Sequence, residues 1–234
     1  MSRSIEVVHV VVPARDEADR LPRLLASLET ACLHALATSP GLQVRATVVL
    51  DSCLDSSGEV LRGHPWVDVV AVDAGVVGIV RARGVSRARA LALGHRPDQV
   101  WIACTDADSV VPPHWLSEQL GFAGGGHDLV VGAVHPDPSD LTPEVVTAWR
   151  DRHRLHEGHP HVHGANLGFT LAAYDLVGGF APLRTGEDVR LVSDLQAAGV
   201  PWVSTARNLV VTSGRRVARA PHGFAGYLQG LPTG

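Results

Sequence analysis

The segment Trp101-Ile-Ala-Cys-Thr-Asp-Ala-Asp-Ser-Val-Val-Pro turns from apolar to acidic and sets two carboxylates, Asp106 and Asp108, one small residue apart. Hard oxygen donors at the end of a buried strand suit Mg2+ or Mn2+. An ion held by so few protein ligands still needs anionic oxygens, such as those of a diphosphate, to fill its shell. The same residue types also make an Asp-rich turn that caps a helix near Trp115, and the spacing by itself does not choose between the two.

A second acidic pair, Glu187-Asp188, precedes Val189, Leu191, Val192 and Leu195 at helical spacing. Acids in a first helical turn complement the helix dipole, which is one use for such a pair. Proton transfer is the other, because a partly desolvated carboxylate takes a proton from a hydroxyl at neutral pH. Arg81 and Arg83 open a different helix, where guanidinium forks and unpaired N–H groups attract anions, whereas Arg87 and Arg89 read as its solvated face. His153, His156, His159, His161 and His163 straddle Gly158 and Pro160. They lack the fixed i, i+4 geometry of a helical zinc pair and read as a polar flap.

The elements that must present these groups alternate. β-branched runs at 7–12, 43–50, 67–72 and 100–104 read as buried strands, and later ones at 129–134, 163–170 and 201–204 join them. Between them Leu21, Leu24, Leu25 and Leu28 recur at helical spacing behind a capping Asp19, and further helices are expected at 58–62, 79–93, 142–156 and 187–198. Strands alternating with helices predict an α/β fold with a mainly parallel central sheet flanked by helices on both faces. The clusters Arg15-Asp16-Glu17, Asp51-Ser52-Cys53-Leu54-Asp55 and Asp106-Ala107-Asp108 all follow strand C-terminal ends, the edge where open parallel sheets bind ligands.

Size and composition narrow the classes. The 234 residues, 45% hydrophobic and 19% charged, are expected to form one domain over 1–234. Within it, 1–115 is the half that carries Asp106 and Asp108, 116–206 follows, and 207–234 reads as a C-terminal tail. Twenty Lys and Arg against 24 Asp and Glu leave a net charge of −4, which offers no global field for nucleic acid or an anionic membrane. No apolar stretch reaches transmembrane length, and three separated cysteines fit a reduced, cytoplasmic protein. A homodimer is left open.

Five segments in order resemble glycosyltransferase family 2, the Rossmann-like nucleotide-binding fold called GT-A. Val11-Val-Pro-Ala-Arg-Asp-Glu resembles its opening strand and loop, and Val49-Leu-Asp-Ser-Cys-Leu-Asp-Ser-Ser its acidic second loop. Thr105-Asp-Ala-Asp resembles the metal motif, Gly164-Ala-Asn-Leu-Gly-Phe with Val177-Gly-Gly-Phe the acceptor-side segment, and Gly186-Glu-Asp-Val-Arg-Leu the Glu-Asp helix start. The resemblance implies a metal-dependent, inverting transfer from a nucleoside-diphosphate sugar, UDP- or GDP-linked, to an acceptor hydroxyl that is not legible. It implies that Pro13, Ala14, Arg15, Glu17, Asp51, Gly78, Arg81, Arg83 and Asp106 bind the nucleotide sugar. By the same resemblance Asp106, Asp108 and His222 hold Mg2+ or Mn2+, and His163, Gly164 and Asn166 face the acceptor. Asp188 and Glu187 are then the catalytic residues, with Asp188 the general base, and Arg215 and Arg216 close over the diphosphate. Gly84 departs from the family, which has Asn there.

Two rival readings remain at this stage. A nucleotidyltransferase acting on a sugar phosphate also uses paired carboxylates, but it carries a Gly-rich phosphate loop after its first strand, and Pro13-Ala-Arg-Asp-Glu has no glycine. A non-catalytic nucleotide-sugar-binding protein would keep the fold and lose turnover.

Overall fold

The computed structural model describes residues 4–153 and 155–215. Strands β1 (Val7–Ala14), β2 (Gln43–Asp51), β3 (Val67–Val72), β4 (Val100–Cys104), β5 (Ser109–Val110), β6 (Leu129–Pro136), β7 (Leu167–Thr170) and β8 (Trp202–Thr212) form one sheet in the order β3-β2-β1-β4-β7-β6-β8-β5. Pairs β3-β2, β2-β1, β1-β4 and β6-β8 are parallel. Strand β7 runs antiparallel to both its neighbours, with Leu167 at its start opposite Cys104 at the end of β4. Residues that precede β7 therefore emerge at the same edge as residues that follow β1, β2 and β4.

Both faces of the sheet are covered. Helices α1 (Leu21–Thr38), α2 (Ser57–Arg62) and α4 (Trp115–Gly124) cover one face, while α3 (Val77–Leu91), α6 (Leu171–Leu176) and α7 (Glu187–Ala197) cover the other; α5 (Pro143–Arg152) lies apart from both. The period of two along β1 divides its side chains accordingly. Val8, Val10 and Val12 pack with Leu24, Leu25, Leu28 and Trp115, and Val7 and Val11 pack with Val85, Leu191 and Leu195. Full burial of each such leucine contributes roughly 1.5–3 kcal/mol to the frame that carries the polar edge. None of the described helices is long and apolar enough to cross a membrane.

Four local expectations change. Helix α1 begins at Leu21 with Arg20 as its cap residue, and exposed Asp19 does not cap it; the Glu17 carbonyl accepts from the Arg20 and Leu21 N–H groups instead. Helix α5 stops at Arg152 rather than continuing to 156. The stretch expected as strand from 163 starts with a short 3-10 turn at Gly164–Asn166, and only Leu167–Thr170 is strand. The largest change concerns β8, which runs through Thr212 where a tail was expected from 207. Its polar residues are buried against partners: Ser109 Oγ donates to Thr212 Oγ1 at 3.0 Å, and Asn166 Nδ2 donates to the Asn208 carbonyl at 2.9 Å. Residues 216–234 of the expected tail lie outside the described residues.

Candidate active site

A cavity of about 610 Å3 opens at the edge where β1, β2 and β4 end. Pro13 and Ala14 at the end of β1, Arg15 and Glu17 beyond it, Asp51 at the end of β2, and Asp106 and Asp108 after β4 line it. His163 and Gly164 enter ahead of β7, and Glu187 and Asp188 come from the start of α7. Segments far apart in sequence thus share one pocket.

Arg81 joins its two halves. The side chain is buried, its Nε donates to Glu187 Oε1 at 2.9 Å, and its Nη2 donates to Asp106 Oδ1 at 2.6 Å. Burial works against the guanidinium charge, but Asp106 and Glu187 more than offset it and hold the group well above its ordinary range. Burial also raises the Glu187 carboxyl, with Arg81 opposing the rise. Gly164 passes against this fork: a Cβ there would sit 2.4 Å from Arg81 Nη2, so the segment carries no side chain at that point.

Asp108 is nearly enclosed. Its Oδ1 accepts from Thr212 Oγ1 at 3.3 Å, and its Oδ2 lies 2.9 Å from Arg215 Nη2. Burial pushes its carboxyl up to about 6; Arg215 opposes this, and the neighbouring Asp106 and Glu17 add to it. Arg215 also makes a double contact with Glu17, at 3.0 and 2.7 Å. The donor set fits a divalent cation: two carboxylates face one cavity, and each already has a guanidinium against one of its oxygens, Arg81 on Asp106 and Arg215 on Asp108. Asp106 and Asp108 are the residues that would hold it.

Asp188 stands in the first turn of α7, after Gly186, whose positive φ of 76° lets the chain enter the helix sharply. Its Oδ2 accepts from the Gly164 N–H at 2.6 Å and its Oδ1 from the Val189 N–H at 2.8 Å. The remaining lone pairs belong to a carboxylate that lines the cavity. Asp51 is more committed: both its oxygens accept from Gly75 N–H, at 3.0 and 3.1 Å, and Oδ1 also accepts from Ala74 N–H at 2.8 Å. It shapes the β3–α3 loop around the pocket. Asp16 and Ser52 hold φ of 52° and 53°, and Asp16 Oδ1 accepts from the Leu54 N–H at 2.7 Å, which ties the first two loops together.

Three residues expected at the site fall outside the cavity. Gly78 packs against the 181–183 loop, where a Cβ would meet the Ala181 carbonyl oxygen at 2.0 Å, and its N–H donates to the Leu183 carbonyl. Arg83 is exposed on α3, because the helical turn that buries Arg81 points residue 83 outward. Asn166 is fully buried: Nδ2 donates to the Ala133 and Asn208 carbonyls, and Oδ1 accepts from Trp115 Nε1 at 2.9 Å. It fastens β6, β8 and α4 together. His222 and Arg216 lie outside the described residues. Arg87 and Arg89 pair with Asp68 and Asp175 away from the cavity.

Residues not singled out as site residues also line the pocket, notably Trp149, His153, His161 and Arg184. The rings of Trp149 and His153 stack with centroids 3.5 Å apart, His161 lies 4.5 Å beyond His153, and His163 6.4 Å beyond His161. Burial lowers the pKa of all three imidazoles, that of His163 to about 3, so this wall is neutral near pH 7. Among the described residues no group of three His, Cys, Asp or Glu there is set for a metal; the one such group, Asp16, Cys53 and Asp55, lies at the loop junction.

Solved structures of the same architecture are glycosyltransferases of the GT-A fold. They include S. aureus TarS in complex with UDP (TM-score 0.62, 15% identity, covering 88% of this chain and 61% of that one). Another is the mannosyltransferase PcManGT from Pyrobaculum calidifontis in complex with GDP-Man and Mn2+ (TM-score 0.60, 17% identity, 95% and 68%). Residues 9–176 match the family model for glycosyl transferase family 2, and the chain belongs to that family. Among curated relatives, the undecaprenyl-phosphate 4-deoxy-4-formamido-L-arabinose transferase of Pseudomonas aeruginosa is 30% identical over 147 residues. The match takes in 62% of this chain but only 39% of that relative's length.

Proposed function

We propose that the protein transfers a sugar from a UDP- or GDP-sugar to an acceptor hydroxyl with inversion at the anomeric carbon. What supports this reading is the meeting in one cavity of the Asp106–Asp108 pair, the Pro13–Glu17 loop and Asp188. Family membership and the UDP, GDP-Man and Mn2+ present in related structures point the same way.

The residues divide the work. The loops after β1 and β2 hold the nucleotide, with Asp51 keeping the 74–75 backbone in place beside it. Asp106 and Asp108 hold Mg2+ or Mn2+, which when bound supplies positive charge to offset that on a departing diphosphate. Asp188 accepts the proton of the acceptor hydroxyl as its oxygen bonds to the anomeric carbon. The bond from that carbon to the diphosphate breaks, and its electron pair leaves on the diphosphate oxygen. The Gly164 N–H fixes the orientation of the Asp188 carboxylate, and Arg81 Nε ties Glu187 Oε1 beside it. The aromatic and imidazole wall from Trp149 to His163 borders the acceptor half. Three free cysteines, two of them buried, accord with a reducing cytoplasm.

The test is incubation with a panel of UDP-, GDP- and dTDP-sugars plus Mn2+, with release of nucleoside diphosphate followed for wild type and Asp108→Asn. Slow donor hydrolysis that needs the ion and is lost in the variant supports the reading. Pyrophosphate-dependent exchange, or full activity of the variant under chelation, overturns it.

A further inference from the structure

The end of β8 is anchored firmly. Ser213 Oγ and the Gly214 N–H both donate to Asp140 Oδ2 at 3.0 Å, and Arg20 Nη1 holds the same oxygen at 3.0 Å. The Arg215 N–H donates to Ser213 Oγ at 3.2 Å, which ties the residue to this anchored segment. From that base the guanidinium reaches across the cavity. It spans both oxygens of Glu17, whose side chain is 6% exposed, and touches Asp108 Oδ2, whose side chain is 12% exposed. One cation thus serves two nearly buried carboxylates that belong to different loops.

A guanidinium against Asp108 Oδ2 and a metal ion on the same carboxylate oppose each other by both volume and charge. We propose that Arg215 is an internal rival of the divalent cation: it holds Asp108 while the diphosphate is absent and releases it when phosphate oxygens offer the guanidinium a new partner. The inference rests on the assignment of Asp108 as a metal ligand. A planar Arg fork matches phosphate oxygens as well as it matches Glu17, so the exchange needs a rotation of the side chain and no movement of β8. Because ion and diphosphate then each make room for the other, their binding is coupled, and by linkage the coupling is the same in both directions. An ion that entered alone would lack the phosphates it is to serve, and would have to compete with Arg215 for Asp108.

The test is titration calorimetry with Mn2+ alone and with Mn2+ in the presence of UDP or GDP, on wild type, Arg215→Gln and Arg215→Lys. For wild type, weak binding of Mn2+ alone that tightens at least about tenfold with nucleotide is expected. Arg215→Gln should bind Mn2+ alone about tenfold more tightly and lose most of the coupling, with Arg215→Lys between the two. A general loss of structure would weaken both ligands and does not predict this opposite movement; should Arg215→Gln fail to fold, Arg215→Lys carries the comparison. Equal affinity of the wild type and a folded variant for Mn2+ alone, with nucleotide-dependent binding intact, overturns the rivalry and leaves the metal assignment standing. No Mn2+ binding by any form, with or without nucleotide, overturns both.

Discussion

The backbone N–H of Gly164 donates to Asp188 Oδ2 at 2.6 Å, so the 3-10 turn that precedes β7 also aims the proposed base. Asp188→Asn keeps the shape and removes the ability to take a proton. Turnover should fall about 10^2 to 10^4-fold, the range that a positioned general base contributes, while donor affinity stays within about twofold. Stopped assays of transfer beside calorimetry with the nucleotide separate the two. A variant that turns over at the wild-type rate removes Asp188 from the mechanism.

Gly164→Ala tests the same junction from the other side. The added methyl would lie 2.4 Å from Arg81 Nη2 and 2.9 Å from Arg81 Cζ, and the guanidinium is pinned between Asp106 and Glu187. Overpacking of this kind costs about 1–3 kcal/mol. Arg81→Met should cost more, about 3–5 kcal/mol, because buried Glu187 would lose the charge that compensates its burial and half-buried Asp106 would lose its partner. Urea denaturation gives both values, and an Arg81→Met protein as stable as wild type would mean that the ion pairs are not formed in solution.

Asn166→Ala is expected to act on stability and not on substrate binding. Removing the amide strands Trp115 Nε1 and the Ala133 and Asn208 carbonyls in a buried place. Each unsatisfied group costs about 1–3 kcal/mol, so a loss of at least about 2 kcal/mol should appear in denaturation. An unchanged midpoint together with a raised KM for acceptor would restore Asn166 to the acceptor site.

Acid should weaken the fold through His9. This fully buried residue shares a 2.7 Å hydrogen bond with Thr47 Oγ1, and burial lowers its pKa from 6.5 to about 4 despite the nearby Asp68 carboxylate. Between those values the unfolded chain binds a proton that the folded one does not. Stability is therefore complete above pH 6.5 and declines as pH falls through the window towards 4. The loss from this group is roughly 3 kcal/mol. Asp68, held low by Arg87, loses its own contribution at lower pH and in the same direction. Urea midpoints measured from pH 7 to 4.5 should drop more steeply for wild type than for His9→Gln, and parallel curves would show that His9 is not responsible.

Much of this architecture can be read from residue types because its signals are local. The runs in β1, β2 and β4 are apolar and rich in Val and Ile, and each leads into an acidic loop, so both the sheet and its functional edge are legible. Strand β8 is not, because Thr205, Arg207 and Asn208 interrupt its apolar pattern, and what allows them is distant: His159 Nε2 on the Thr205 carbonyl and Asn166 on the Asn208 carbonyl. Asn166 itself misleads for a geometric reason. Its neighbours His163 and Gly164 line the cavity, but the 3-10 turn at Gly164–Asn166 carries its side chain into the core. The ion pairs that organise the site span 106 residues between Arg81 and Glu187 and 198 between Arg215 and Glu17, separations at which no spacing rule operates.

The reversed course of β7 sorts the pocket by direction of travel. Groups proposed to hold the nucleotide and ion hang from the ends of strands running towards the cavity, whereas those nearest the acceptor lead into a strand running away from it. The segment before β7 can therefore vary without retiming the register of β1, β2 and β4, except at Gly164, where the Arg81 fork that holds Asp106 leaves no room for a side chain.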